Sequence, residues 1–192
     1  MDDGATEFSD PALLIAEIAR LRADVARLEA RVGELDQLAH HDPLVPAVNR
    51  RGMIRELDKL IARHERHGDS GALLFVDLDD LKVLNDSFGH SGGDAALIHV
   101  AEQLQAGTRA TDCVARLGGD EFCVLLDRAD EAQAIETAER LVDVIAGEDF
   151  MFKGSAMPLS VAIGVTMIQK GDTPDAILAR ADQAMYRVKA AA

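Results

Sequence analysis

Two groups of carboxylates stand out in the sequence. Asp77-Leu78-Asp79-Asp80 comes directly after an apolar run, Ala72–Val76, and Asp120-Glu121 follows a glycine pair, Gly118-Gly119. If the run is a strand and the glycines turn a hairpin in the same sheet, Asp77 and Asp120 converge at one edge. Converging carboxylates repel unless a cation sits between them. Hard oxygen ligands suit Mg²⁺ or Mn²⁺. A pair of such ions beside a nucleoside triphosphate would activate an attacking hydroxyl and neutralise charge on the α-phosphate and the departing pyrophosphate. Gly118 and Gly119 let the backbone approach a nucleotide with no side chain in the way. Alone, the hairpin acids fit a plain solvated turn equally well, because Asp and Gly are common there. The second acidic cluster, at a strand end, is what turns the pair towards metal and phosphate chemistry.

The elements that must position these residues follow from periodicity and punctuation. Ala72–Val76 has the length and composition of a buried strand. Cys113 to Leu117 and Phe122 to Leu126 are short strands around the glycine turn, a hairpin signature. Leu159 to Met167 reads as a further strand. Helices are expected from about Asn49 to Arg66, Asp94 to Ala106 and Glu131 to Ala146. Thr173-Pro174 is a cap with a first-turn proline, opening a last helix through about Lys189. The order β-α-β-β-α-β is that of a ferredoxin-like α+β sheet with helices on one face.

Upstream, residues 1–10 read as a disordered N-terminus, and residues 11–40 have a different pattern. Leu14, Leu21, Leu28 and Leu35 fall at d of a heptad, with Ile18, Val25 and Val32 at a. β-branched a positions with leucine at d favour a parallel two-stranded coiled coil. In that pairing Glu17 faces Arg22 of the partner and Arg31 faces Asp36, while Asp24 facing Glu29 is a mismatch. The competing reading is one amphipathic helix packed on its own domain, which usually shows a broader apolar stripe. Pro43 and Pro46 end the pattern and mark a hinge. The division expected is thus 11–40 for a coiled-coil dimerisation helix and 41–192 for one α+β domain.

Composition narrows the partners. With 34 acidic against 20 basic residues the formal net charge is −14, which argues against nucleic acid. A nucleotide substrate stays open, because a divalent cation converts an acidic pocket into a phosphate site. Cys113 and Cys123 have no metal-ligand spacing and read as ordinary buried thiols. Neither a secretion signal nor a membrane span is evident, so a cytoplasmic location is expected.

The string Arg116-Leu117-Gly118-Gly119-Asp120-Glu121-Phe122 resembles the GGDEF family of diguanylate cyclases. His41-Asp42-Pro43-Leu44 with Asn49-Arg50-Arg51 is similar to that family's opening element. Asp77 to Lys82, Asn85 to His90 and Gly93-Asp94 resemble its first strand and nucleotide segment. Ser160 to Val165 and Ala181 to Lys189 resemble its later strand and final helix. The resemblance implies a nucleotidyl-cyclase palm that condenses two GTP into cyclic di-GMP, working as a dimer with two Mg²⁺ or Mn²⁺ per half-site. It implies metal ligands at Asp77, Asp120 and the Leu78 carbonyl, and assistance to 3′-hydroxyl deprotonation from Asp120 or Glu121. Asn85 and Asp94 become guanine readers, which suits a carboxylate facing the N1–H and N2 amino group that adenine lacks. Lys82 and Lys189 become phosphate contacts, with backbone amides near Asp80 and Leu81. Arg109 and Asp112 form the R-x-x-D of a product-inhibition site, with Arg140 as partner. Arginine suits phosphate and the guanine Hoogsteen edge.

The sequence departs from the family at three places, the mildest being Leu81 where a phenylalanine is common, a tolerable apolar swap. Pro46 replaces the usual glycine of the opening loop, which implies a reshaped loop. The family's final helix usually runs on into Gly-Arg-Asn, whose arginine touches the triphosphate, and here the last residues are Ala190-Ala191-Ala192. Weaker GTP binding, a shortened chain and replacement by another residue all account for that. The rival to an active cyclase is a catalytically silent domain acting as a receptor for cyclic di-GMP or GTP.

Overall fold

The structure is a computed structural model, and it describes residues 11–147 and 150–191. The expected disorder of residues 1–10 lies outside the described residues. The chain divides into two compact units, Met1–Ala39 and His40–Ala192.

The first unit is carried by α1 (Pro11–His40), 30 residues long with no buried side chain. The seam leucines, isoleucine and valines are all exposed, from Leu14 at 49% to Val32 at 65%. Ion pairs run along the helix from Glu17 to Arg20, Arg27 to Asp24 and Arg31 to Glu34. Asp24, the mismatched position of the seam, therefore has its own arginine one turn away.

In the second unit, α2 (Arg50–His67) starts where Asn49 accepts from the Arg51 and Gly52 amides at 2.9 and 3.0 Å. It stops at Gly68, whose φ of 72° is the left-handed conformation that ends helices cheaply. Then come β1 (Gly71–Leu78), α3 (Leu81–Phe88), α4 (His90–Ala106), β2 (Cys113–Gly118), β3 (Glu121–Asp127), α5 (Glu131–Gly147), β4 (Phe150–Phe152), β5 (Ser155–Met157), β6 (Val161–Met167) and α6 (Pro174–Ala191). The main sheet has the order β2-β3-β1-β6, and every pairing is antiparallel. β4 and β5 form a separate hairpin.

The crossover helices α4 and α5 share one face, as the β-α-β-β-α-β order requires. The expectation of helices on one face only is corrected by α2 and α6, which cover the other. The reason is visible in β1. Ala72, Leu74, Val76 and Leu78 enter one core with Leu97, Val100 and Leu141, whereas Leu73 and Phe75 enter a second core with Met53, Leu57 and Ile177. A strand apolar on both faces needs two covers. α6 seats close on β6: a Cβ at Gly164 would lie 2.1 Å from the Met185 nitrogen and 2.6 Å from the Ala181 carbonyl oxygen. Only glycine admits that approach.

The loop carrying Pro46 is held by Asp42. The Asp42 carboxylate accepts from the Leu44 and Val45 amides at 2.9 and 3.0 Å, and Val45 and Ala47 are buried. Among the described residues no helix is long and apolar enough to cross a membrane.

Candidate functional site

β1, a central strand, carries Asp77 near its C-terminal end, and β3 delivers Glu121 directly opposite it. The Leu78 amide donates to the Asp120 carbonyl at 3.1 Å, and the Asp79 amide donates to the Ser160 carbonyl at 3.0 Å. The Asp77–Asp80 segment is thereby fixed between the hairpin tip and the approach to β6. At the tip, the ladder shifts register between Arg116 and Gly118, and Gly119 takes a φ of 53°. That backbone is costly for a residue with a Cβ. Arg116 holds the turn from below, donating to the Gly119 carbonyl at 2.7 and 3.1 Å and pairing with Asp42 at 3.4 Å.

Burial raises the Asp77 carboxyl above its ordinary value, with Asp120 and Asp79 adding repulsion and Lys189 opposing. Burial likewise raises Glu121, reinforced by Asp120, Asp77 and Asp182. The Lys189 ammonium from α6 contacts Asp77 and lies 3.4 Å from Asp79. Burial opposes that ammonium's charge, but the hydrogen bonds and charges of Asp77 and Asp79 outweigh it, and its pKa rises. The Ser160 hydroxyl donates to Asp79 at 2.9 Å.

This donor set fits a hard divalent cation. Asp77 and Asp120 would supply carboxylates and Leu78, next in the chain after Asp77, a backbone carbonyl, while the Lys189 ammonium offsets part of the negative charge. Among the described residues no cluster of three or more His, Cys, Asp or Glu side chains forms a ready-made metal cage. A bound ion would depend on backbone and nucleotide oxygens as well.

The guanine candidates sit on different helices. Asn85 is half-buried on α3 and Asp94 is exposed in the first turns of α4. Asn85 lies against Gly93, the residue before Asp94, where a Cβ would fall 2.2 Å from the Asn85 Oδ1. Asp80, in left-handed conformation with a φ of 54°, turns the chain into α3, so Leu81 and the exposed Lys82 lie in that helix's first turn.

The second candidate site also assembles. Arg109, Asp112 and Arg140 line one pocket with Thr108, Gln133 and Thr137. Asp112 does more than face the pocket: its carboxylate accepts from the Arg109 amide at 2.8 Å and from the Asp127 amide at 3.1 Å. Burial pushes the Cys113 thiol up to about 11 and raises Cys123 further, so both are protonated.

Sequence reasoning gave no role to Asp79 or Arg116. Asp79 had a signal, the Asp-x-Asp spacing; the Arg116 contact with Gly119 depends on the local turn and had none.

The chain matches the family described as "Diguanylate cyclase, GGDEF domain" over residues 39–192. It is 40% identical over 157 residues to the bifunctional diguanylate cyclase/cyclic di-GMP phosphodiesterase MucR of Pseudomonas aeruginosa, covering 81% of this chain and 23% of that protein. It is 38% identical to the response regulator PleD of Caulobacter vibrioides, covering 80% of this chain and 35% of PleD. The chain therefore spans about a quarter to a third of the length of these curated relatives. Among solved structures, the coiled coil and GGDEF domain of DgcB from Caulobacter crescentus, in complex with c-di-GMP, is similar with a TM-score of 0.85 and 26% identity, over 93% of this chain and 95% of that one. With the acidic cluster, the glycine turn and the α3–α4 segment all inside the matched residues, the chain belongs to the GGDEF family of diguanylate cyclase domains.

Proposed function

We propose that the chain condenses two GTP molecules into cyclic di-GMP and two pyrophosphates, each domain of a dimer presenting one GTP to the other. The observation that carries this reading is the meeting of Asp77 with Asp120-Glu121 at the end of the β1–β3 ladder, held by that ladder and the Leu78–Asp120 hydrogen bond. Relatives named as diguanylate cyclases support it, among them DgcP of Pseudomonas aeruginosa at 37% identity.

In this reading Asn85 and Asp94 bind the guanine edge, and Lys82, Lys189 and the amides near Asp80 and Leu81 hold phosphate. Asp120 or Glu121 accepts the 3′-hydroxyl proton as that oxygen attacks the α-phosphorus of the opposite GTP. The raised proton affinity of Glu121 suits that task. Mg²⁺ or Mn²⁺, held by Asp77, Asp120 and the Leu78 carbonyl, would neutralise charge on the α-phosphate and the leaving pyrophosphate. The exposed seam of α1 supplies the second domain by pairing with another copy, which raises the local concentration of one half-site at the other. Product returning to Arg109, Asp112 and Arg140 inhibits. A cytoplasmic location follows from the substrate.

The second reading, a silent receptor for cyclic di-GMP or GTP, draws on the same Arg109 pocket, because product binding there needs no turnover. Asp120→Ala and Glu121→Ala separate the two. Both variants lose cyclic di-GMP synthesis by about 100-fold or more under the cyclase reading. Wild type that binds nucleotide and yields no product supports the receptor instead.

A further inference from the structure

Asn85 and Asp94 stand on separate helices, and the chain between them breaks at Gly89, with a φ of 71° and a ψ of 171°. α3 has 8 residues, too few to be stable alone. Something must fix it against α4 if both residues are to read one base.

The β4–β5 hairpin does this from outside the main sheet. Phe152 meets Phe88, the last residue of α3, edge-on, with ring centroids 6.4 Å apart and planes at 88°. Phe88 lies three residues beyond Asn85, on the same helical face. Phe150 stacks on His99 of α4 at 4.7 Å. Between the two contacts, a Cβ at Gly92 would lie 2.4 Å from the Phe88 Cβ and 3.5 Å from the Phe152 Cε1. The Lys153 ammonium sits 5.1 Å above the Phe152 ring. A strand of three residues thus grips both helices that carry the guanine candidates.

We propose that Phe152 is a positioning residue for guanine selectivity: through Phe88 and Gly92 it clamps α3 to α4 and sets Asn85 against Gly93, beside Asp94. It has no polar atom for the base and acts only through its neighbours. The proposal rests on the reading of Asn85 and Asp94 as guanine contacts.

The test is calorimetric binding, with Mg²⁺, of the α,β-methylene analogues of GTP and ITP, which cannot release pyrophosphate. Inosine lacks the N2 amino group, so the ratio of the two affinities reports base reading and does not depend on turnover. Wild type prefers the guanosine analogue by about tenfold or more. Phe152→Ala brings the ratio towards one while the inosine analogue binds nearly as before, and Phe152→Tyr, which keeps the ring, restores the preference. Gly93→Ala displaces Asn85 directly and gives the same loss by an independent route. A Phe152→Ala protein that keeps the wild-type ratio overturns the positioning role and leaves the guanine site standing. Wild type that binds both analogues alike overturns the guanine site and this inference with it.

Discussion

Asp77 and Glu121 are cross-strand partners in the β1–β3 ladder, and the amide of Leu78 reaches the carbonyl of Asp120 at 3.1 Å. Residues 44 positions apart in sequence are brought together by strand register alone. A slip of one residue would turn each side chain to the other face. The register is secured by Val76 and Phe122, both fully buried and also partners in the ladder.

The seat of α6 on β6 depends on one missing methyl group. Gly164→Val places atoms within the α6 backbone at Met185, which cannot swing aside as a side chain would. The expected cost is about 3 kcal/mol or more. Thermal melting should drop by roughly 6 to 12 °C for a chain of this size. An unchanged melt contradicts the close packing.

Asp172 ties the loop before α6 to that helix. Arg180 donates to it at 2.5 and 2.8 Å, and the Gln169 amide donates at 2.7 Å. Arg180, helped by that amide, holds the Asp172 carboxyl below its ordinary value. A depressed folded-state pKa contributes stability that is present above the unfolded value of about 3.9 and lost as pH falls through the folded value. Arg180→Gln should therefore cost about 1 kcal/mol near pH 7, discounted for the arginine's partial exposure. Urea midpoints of wild type and variant should draw together as pH falls below the unfolded carboxylate value. A gap that stays constant with pH contradicts the assignment.

Much of this was legible beforehand, and the exceptions have physical causes. The strands of the main sheet announced themselves by apolar runs and a glycine turn, whereas Asn49, expected as the first residue of α2, proved to be its cap. α3 was not expected, because Asp80 gives it no side-chain cap and it has only 8 residues. α4 starts at His90 and not at Asp94: Gly92 and Gly93 look like breakers in sequence but are there to admit Phe88 and Asn85. β4 and β5, three residues each, are too short for any period to show. The acidic pairing was readable from spacing. The hold of Arg116 on the Gly119 carbonyl was not, since it depends on the turn's three-dimensional path.

The seam of α1 should act through self-association. Val25→Asp in the full chain puts a charge at a central a position, where burial against a partner is costly. Sedimentation should show a shift from dimer to monomer, and cyclase activity per chain should fall most at low protein concentration. Identical sedimentation of variant and wild type contradicts pairing through this face.

The proposed product inhibition can be separated from folding at the second site. Arg109→Ala should relieve inhibition by cyclic di-GMP with the melting temperature nearly unchanged. Asp112→Ala should relieve it too, but with a stability loss of about 1 to 2 kcal/mol, because two backbone amides lose their acceptor. Equal inhibition of wild type and Arg109→Ala contradicts the site.

The most direct measurement follows purified protein with GTP and Mg²⁺, quantifying cyclic di-GMP and pyrophosphate together. The account predicts about two pyrophosphates for each cyclic di-GMP, the balance set by two α-phosphate attacks, with both products lost in Asp120→Ala. GTP that is bound but returned unchanged, or pyrophosphate released without cyclic di-GMP, contradicts it.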